Sequence, residues 1–137
     1  MHAKPNIILI MTNQQRADTI GALGSPWMQT PNLDRLVNEG NSFTNCFVTS
    51  PVCVSSRASI FLGGYPHTTN VYTNFETWEP NWVKWLSDSG YHYVNIGKMH
   101  INPHVAKGGF HQRFFFKNQG RPIFLGDHKH AIYDEWN

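Results

Sequence analysis

The sequence predicts an α/β fold in which a mostly parallel sheet is flanked by helices. Three observations support this prediction. Short apolar runs alternate with segments of helical periodicity, glycine or proline separates most of these segments, and polar residues follow the apolar runs. Strands that alternate with helices in this way are typical of parallel sheets whose faces are covered by helices.

The apolar runs that predict strands are at residues 6–12, 42–49 and 91–96, with a weaker one at 114–116. The first run is rich in isoleucine and follows Pro5, which is typical of a strand buried on both faces. Phe43 and Phe47 are the main apolar residues of the second run. Gly97 directly follows the third run and is expected to end that strand.

Helical patterns are found at residues 31–39, 55–62 and 81–89. Thr30 is suited to the cap of the first helix and Pro31 to its first position. Glycine follows the end of each pattern, as expected where a helix must stop. Asn81 is expected to cap the third helix, whose apolar residues recur at helical spacing.

Composition excludes several classes of function. Hydrophobic residues make up 40% and charged residues 15%, which is typical of a globular chain. The net charge of +2 is too small, and the basic residues too scattered, to predict nucleic-acid binding. The longest apolar run is far shorter than the roughly 20 residues that a membrane span requires.

The two cysteines, Cys46 and Cys53, are expected to be free thiols in a reducing compartment. The start of the sequence passes directly into an apolar run, without the small-residue cleavage site of a signal peptide. These features predict a cytoplasmic location.

Polar segments at the ends of predicted strands indicate where a ligand would bind. Residues 12–16, 50–57 and 98–100 each follow a predicted strand. In sheets of this kind, ligands bind beyond the carboxyl ends of the strands. The sequence therefore predicts one site formed by these three segments.

Cys53 is the candidate nucleophile because it directly precedes a predicted helix. The free amides of a helix start favour negative charge and can bind an oxyanion. Arg57, one turn further on, could reach the same anion. The alternative interpretation is a small buried cysteine beside an unrelated surface arginine.

Four segments, in the same order along the chain, resemble motifs of the sulfatase family. Cys53-Val54-Ser55-Ser56-Arg57 resembles the Cys-x-Pro-Ser-Arg signature, and the apolar turn after it leads to Gly63-Gly64. The other three segments are residues 6–11 with Asn13-Gln14, residues 30–36, and Gly97-Lys98-Met99-His100. The resemblance extends from about residue 5 to residue 104.

This resemblance implies the amino-terminal part, residues 1–137, of a catalytic domain with a partial alkaline-phosphatase-like sandwich. It also implies a sulfuric ester hydrolase in which the motif cysteine, here Cys53, is oxidised to formylglycine. The hydrated aldehyde of that residue attacks the sulfate ester, and sulfate then leaves by carbon–oxygen cleavage. Arg57 would orient the diol, and Lys98 and His100 would contact sulfate or the leaving oxygen.

The resemblance further implies a divalent metal, Ca²⁺ in the first place with Mn²⁺ or Mg²⁺ as alternatives. Asn13, Gln14 and Cys53 would be its ligands in this part of the chain. Asn74 resembles a residue on the substrate side of some relatives, and a turn residue is the alternative interpretation. The expected partners are a small-molecule or glycan sulfate ester, and the missing C-terminal half or a second copy of the chain.

Four residues depart from the family pattern. Asn13 replaces a metal-binding Asp, Ser55 replaces Pro or Ala, and Leu62 and Gly64 replace the Thr and Arg of a Thr-Gly-Arg element. Two alternative functions are therefore considered: a non-catalytic or degenerate sulfatase-like remnant, and a phosphate or phosphonate ester hydrolase of the same superfamily. Because the family's remaining metal ligands lie far downstream, no turnover is expected from this chain alone.

Overall fold

The computed structural model describes residues 4–74, 76–116 and 122–125. The chain divides into two compact units, Met1–Phe47 and Val48–Asn137, and each is described by itself. The helices within the described ranges are α1 at Pro31–Glu39, α2 at Cys53–Leu62, α3 at Pro66–Thr69 and α4 at Asn81–Asp88. The strands in the same part of the chain are β1 at Val94–Ile96, β2 at Gln112–Phe116 and β3 at Pro122–Leu125.

In the first unit, α1 is joined to the preceding short 3₁₀ turn Gly21–Leu23 by hydrogen bonds. The Thr30 hydroxyl donates to the Asp34 carboxylate at 2.8 Å and accepts from the Gly21 amide at 2.8 Å. The Ala22 amide also donates to Asp34, at 2.9 Å. Thr30 does precede the helix as predicted, but its hydroxyl joins the turn to the helix and does not cap the helix amides.

The predictions of strands at residues 6–12 and 42–49 are wrong. Neither segment belongs to a strand, and both expose large apolar side chains: Ile8 is 83% and Phe47 is 85% exposed. A strand requires a neighbour to receive its backbone hydrogen bonds. In the described part of this unit, no segment forms such a ladder with either run.

In the second unit, α2 begins two residues earlier than the sequence predicts, so that Cys53 is its first residue. Gly63 ends α2 with φ of 72°, a conformation that favours glycine, and its amide donates to the Ser59 carbonyl at 2.9 Å. The short helix α3 was not predicted. Pro80, not Asn81, occupies the cap position of α4.

The sheet confirms the α/β prediction. β1 and β2 are parallel, β2 and β3 are antiparallel, and the strand order is β1-β2-β3. The crossover from β1 to the parallel β2 is an irregular loop that contains the described residues 97–111. Asn95 of β1 lies opposite Arg113 of β2, which brings the two ends of this loop to adjacent strands.

Aromatic packing forms much of the core of the second unit. Phe61 of α2 stacks on Trp82 of α4 with ring centroids 5.1 Å apart, and its edge meets Phe110 at 6.4 Å. The Trp82 indole also donates a hydrogen bond to the Ile60 carbonyl at 3.0 Å. Tyr93 packs against both Trp82 and Phe110. These contacts account for part of the high aromatic content and hold α4 against α2, the helix that carries Cys53.

Two other expectations are tested by the fold. Both Cys46 and Cys53 are free thiols, as predicted. None of the helices in the described ranges is long and apolar enough to cross a membrane.

Candidate active site

The amino terminus of α2 positions Cys53. Val52 is the cap residue in extended conformation, and its carbonyl accepts the first helical hydrogen bond, from the Ser56 amide at 2.9 Å. The amides of the first helical turn therefore have no partner inside the helix and are directed out of its end. This end of α2 carries partial positive charge beside the Cys53 thiol.

The segment that follows β1 brings two basic side chains to Cys53. His100 Nδ1 lies 3.2 Å from Cys53 Sγ, and Lys98 Nζ lies 3.8 Å from the same sulfur. Between them, Met99 is buried in the core. Because Met99 is directed inward, the side chains before and after it are left to face the thiol. Cys53, Lys98 and His100 therefore lie together at the amino terminus of α2.

The backbone of this segment is unusual at both ends. Gly97 has φ of 102°, and its amide donates to the Phe114 carbonyl of β2 at 2.7 Å. His100 has φ of 64°, in the left-handed region that few residues other than glycine adopt. Such conformations cluster at functional sites, where the surrounding structure holds them in place.

Arg57 holds the same segment from the side of α2. It is buried, and its Nη1 donates to the Lys98 carbonyl at 2.6 Å. Burial lowers the pKa of Arg57, while charge interaction with Cys53 acts in the opposite direction. The sequence analysis expected Arg57 to act on the nucleophile. In the structure, its hydrogen bond fixes the backbone that carries Lys98 and His100.

The pKa of His100 is lowered from its ordinary value of 6.5, first by burial and then by the positive charges of Lys98, Arg57 and His104. The imidazole is therefore neutral at neutral pH and has one unprotonated ring nitrogen. In one tautomer Nδ1 accepts a hydrogen bond from the thiol, and in the other it donates one to the sulfur. A neutral histidine beside a nucleophile can accept or deliver a proton.

Ser55, noted above only as a departure from the family pattern, holds a loop beside the site. Its buried hydroxyl donates to the Tyr72 carbonyl at 3.0 Å. The next residue, Thr73, donates to Glu76 from its amide at 2.7 Å and from its hydroxyl at 2.6 Å. The hydroxyl bond is the main cause of a lowered pKa at Glu76. Asn74 lies exposed in this turn.

The predicted metal ligands Asn13 and Gln14 lie in the first unit, and both are exposed. Their side chains offer neutral amide oxygens, whereas a Ca²⁺ site is built largely from carboxylates. Among the residues that the structure describes, no three His, Cys, Asp or Glu side chains are grouped to hold a metal ion. These residues do not form a complete metal site by themselves.

Arg113 is the residue that the sequence analysis missed. It is only 2% exposed, and burial lowers its pKa to about 10. Its hydrogen bonds go to the carbonyls of His104 and Ala106 and to the Asn95 side chain. The available signal was an arginine directly before the aromatic run at residues 114–116, because a charge inside a buried strand requires a specific set of partners.

Comparison with known proteins shows which family this chain resembles. The family model described as Sulfatase matches residues 5–134. An arylsulfatase of Clostridium perfringens is 41% identical over 112 residues, which cover 79% of this chain and 23% of that protein. An ulvan-active sulfatase of Formosa agariphila is 37% identical over 105 residues, covering 74% of this chain and 20% of that protein. An N-acetylglucosamine-6-O-sulfatase of Bacteroides thetaiotaomicron is 35% identical over 101 residues, which cover 72% of this chain and 18% of that protein.

The chain spans about a fifth of the length of these curated relatives. Proteins of the matched family generally use a metal and a formylglycine. The match to the family model extends over most of the sequence and includes the residues of the site, Cys53, Arg57, Lys98 and His100. On these grounds the chain belongs to the sulfatase family.

Proposed function

We propose that this chain is the amino-terminal portion, residues 1–137, of the catalytic domain of a sulfuric ester hydrolase. The observation that carries the proposal is the placement of His100 Nδ1 and Lys98 Nζ at 3.2 and 3.8 Å from Cys53 Sγ, at the amino terminus of α2. A nucleophile, a neutral histidine and a cation thus meet at a helix start, an arrangement suited to an anionic ester.

Two features support the binding of a sulfate group at this point. The first-turn amides of α2 can donate hydrogen bonds to an oxyanion. The Lys98 ammonium carries a full positive charge on the same side as the thiol. Because the negative charge of the reacting group shifts toward the leaving oxygen as the ester bond breaks, fixed positive groups stabilise the transition state.

Residue 53 is proposed to act after conversion of its thiol to formylglycine. The hydrated aldehyde then supplies the attacking oxygen and lets sulfate leave by carbon–oxygen cleavage. In the present structure the sulfur stands in for the diol oxygens, so His100 Nδ1 is close enough to exchange a proton at that position. Arg57 supports both basic residues through the Lys98 carbonyl.

A divalent metal is also proposed, Ca²⁺ in the first place and Mn²⁺ or Mg²⁺ as alternatives, with Asn13 and Gln14 among its ligands. The family resemblance supports this assignment. Because the described residues form an incomplete donor set, further ligands would have to come from residues outside them.

The proposed substrate is a small-molecule or glycan sulfate ester, and Asn74 is proposed to contact its alcohol part. The names of two relatives, an ulvan-active sulfatase and an N-acetylglucosamine-6-O-sulfatase, support the inclusion of glycans. The rest of the catalytic domain would be supplied by a longer chain or by a second chain, and a second copy of this chain is the alternative partner. A cytoplasmic location remains part of the proposal.

The test is mass spectrometry of the protein isolated from its source, combined with an esterase assay. We expect an intact mass above 15.7 kDa, an aldehyde in the peptide that contains residue 53, and cleavage of an aryl sulfate. The Cys53→Ala variant should lose both the aldehyde and the activity, while Cys46→Ala should keep both. An unmodified thiol together with no cleavage of aryl sulfate would contradict the proposal, and selective cleavage of an aryl phosphate would favour the phosphatase alternative.

A further inference from the structure

Arg113 is an ionisable residue buried in the sheet behind the site. Within the described residues, no carboxylate forms an ion pair with it. Its guanidinium is satisfied by other groups: Nε donates to Asn95 Oδ1 at 3.4 Å, and Nη1 donates to the His104 carbonyl at 3.2 Å and to the Ala106 carbonyl. The cation also lies over the Phe115 ring, 4.7 Å from its centroid.

The partners of Arg113 lie on both sides of the segment that carries the basic residues of the site. Asn95 is three residues before Lys98, and His104 is four residues after His100. One guanidinium therefore joins the start and the end of the turn between residues 95 and 104. Because Arg113 belongs to β2, its hydrogen bonds attach this turn to the sheet.

Apolar burial alone would not orient His100. Met99 and Ile101, on either side of it, are buried in the core. Burial of apolar side chains is non-directional, so it fixes the depth of the segment more than its rotation. A contact of 3.2 Å between Nδ1 and Sγ requires placement within about 0.5 Å. Directional hydrogen bonds to the backbone can supply that precision, and the planar guanidinium has several donors in fixed geometry.

We propose that Arg113 is a positioning residue of the active site, which holds residues 95–104 so that His100 faces the nucleophile. This inference rests on the proposed function, because it assigns the chemistry to residue 53 and His100. It does not depend on turnover, since the contact that Arg113 supports is present in the unconverted chain with its thiol.

The experiment uses the full chain with ¹⁵N-labelled histidine. Long-range proton–nitrogen spectra report the shifts of both ring nitrogens of His100. In an otherwise unchanged chain, Cys53→Ala removes the contacting sulfur and should shift the Nδ1 resonance. With Arg113→Met, the same Cys53→Ala substitution should produce less than about a third of that response, because His100 would no longer be held at the thiol.

Two further variants make the result decisive. Arg113→Lys keeps the positive charge but has a single nitrogen, so we expect a response between those of the original chain and the Arg113→Met variant. Phe61→Leu weakens the core of α2 outside the contacts of Arg113, and should keep the full response while lowering stability. This control separates positioning from general loss of stability.

A full Nδ1 response in a folded Arg113→Met chain would overturn the inference. If circular dichroism shows that this variant does not fold, the test uses Arg113→Lys instead. A full Nδ1 response in Arg113→Lys would then overturn the inference. Unfolding of both variants would assign Arg113 a role in folding alone and would also overturn it. Because the spectra use the unmodified thiol, failure of the hydrolase proposal is recognised separately, by the absence of the aldehyde and of sulfate ester cleavage.

Discussion

Arg57 Nη1 donates a hydrogen bond to the carbonyl oxygen of Lys98 at 2.6 Å, and this contact joins α2 to the segment with both basic residues. A buried arginine in a sulfatase-like motif is thus paired with backbone. The distance between α2 and the end of β1 depends on this contact, and so does the approach of His100 to Cys53.

Replacement of Arg57 by Ala should destabilise the chain. The change leaves the Lys98 carbonyl without its donor, which costs roughly 1–3 kcal/mol in free energy of unfolding. Urea unfolding measures this cost. Arg35→Ala is the matched control, because Arg35 is exposed and pairs with Glu39 at 3.8 Å within α1. Its expected cost is below about 0.5 kcal/mol, and equal costs for the two variants would contradict the prediction.

Ser55→Ala and Ser55→Pro should have similar effects. Both remove the hydroxyl that donates to the Tyr72 carbonyl, at a cost of about 1 kcal/mol. Proline adds little further cost, because residue 55 lies in the first turn of α2, where the amide has no helical acceptor. Hydrogen exchange should become faster at residues 72–74 in both variants. Ser56→Ala, one residue further along, should leave that exchange unchanged.

Stability should depend on the titration of His100. Its pKa is lower in the folded chain than the ordinary 6.5, because burial and the nearby charges of Lys98, Arg57 and His104 disfavour the imidazolium. As the pH falls through about 6.5, the unfolded chain therefore binds a proton before the folded chain does. The free energy of unfolding should decrease from that pH downward, and level off below the folded pKa.

Urea unfolding of the original chain and of His100→Asn, between about pH 5 and pH 7.5, isolates this contribution. Every other residue is the same in the two chains, so the difference between the two curves is assigned to residue 100. If the free energy of unfolding of the original chain increased relative to that of His100→Asn as the pH falls, the sign of the pKa shift would be wrong.

The two tryptophans of α4 should differ sharply in their contribution to stability. Trp82 stacks on Phe61 and donates to the Ile60 carbonyl, so Trp82→Ala should cost roughly 2–4 kcal/mol. Trp85 belongs to the same helix but is 66% exposed, and Trp85→Ala should change stability by less than about 0.5 kcal/mol. Thermal unfolding of the two variants side by side measures the difference, and similar losses would disprove the assignment of Trp82 to the core.

Elements that form through interactions between residues close in sequence were predicted more accurately than elements that depend on distant partners. The helices α1 and α2 were predicted because Pro31 and Gly63 act on the backbone beside them. The strands at residues 6–12 and 42–49 were predicted wrongly, because a ladder depends on a partner that can be distant in sequence or lie outside the described residues.

The same distinction applies to the site. Cys53, Lys98 and His100 were predicted because a helix start and a strand end lead to the same edge of the fold. The sequence does not show which groups Ser55 and Arg113 contact, because the backbone carbonyls that accept their hydrogen bonds have no signature in it. The metal site stays a prediction from the family resemblance.

The left-handed backbone of His100 restricts which side chains evolution or design can place opposite Cys53. Glycine, asparagine and aspartate tolerate this conformation, whereas a β-branched residue would be strained by about 1–2 kcal/mol before any chemistry is considered. Few substitutions at residue 100 therefore fit this backbone conformation, and asparagine is the neutral replacement that strains it least. Libraries that vary this position should be judged first by backbone tolerance, because a variant with a strained backbone does not test the chemistry of its side chain.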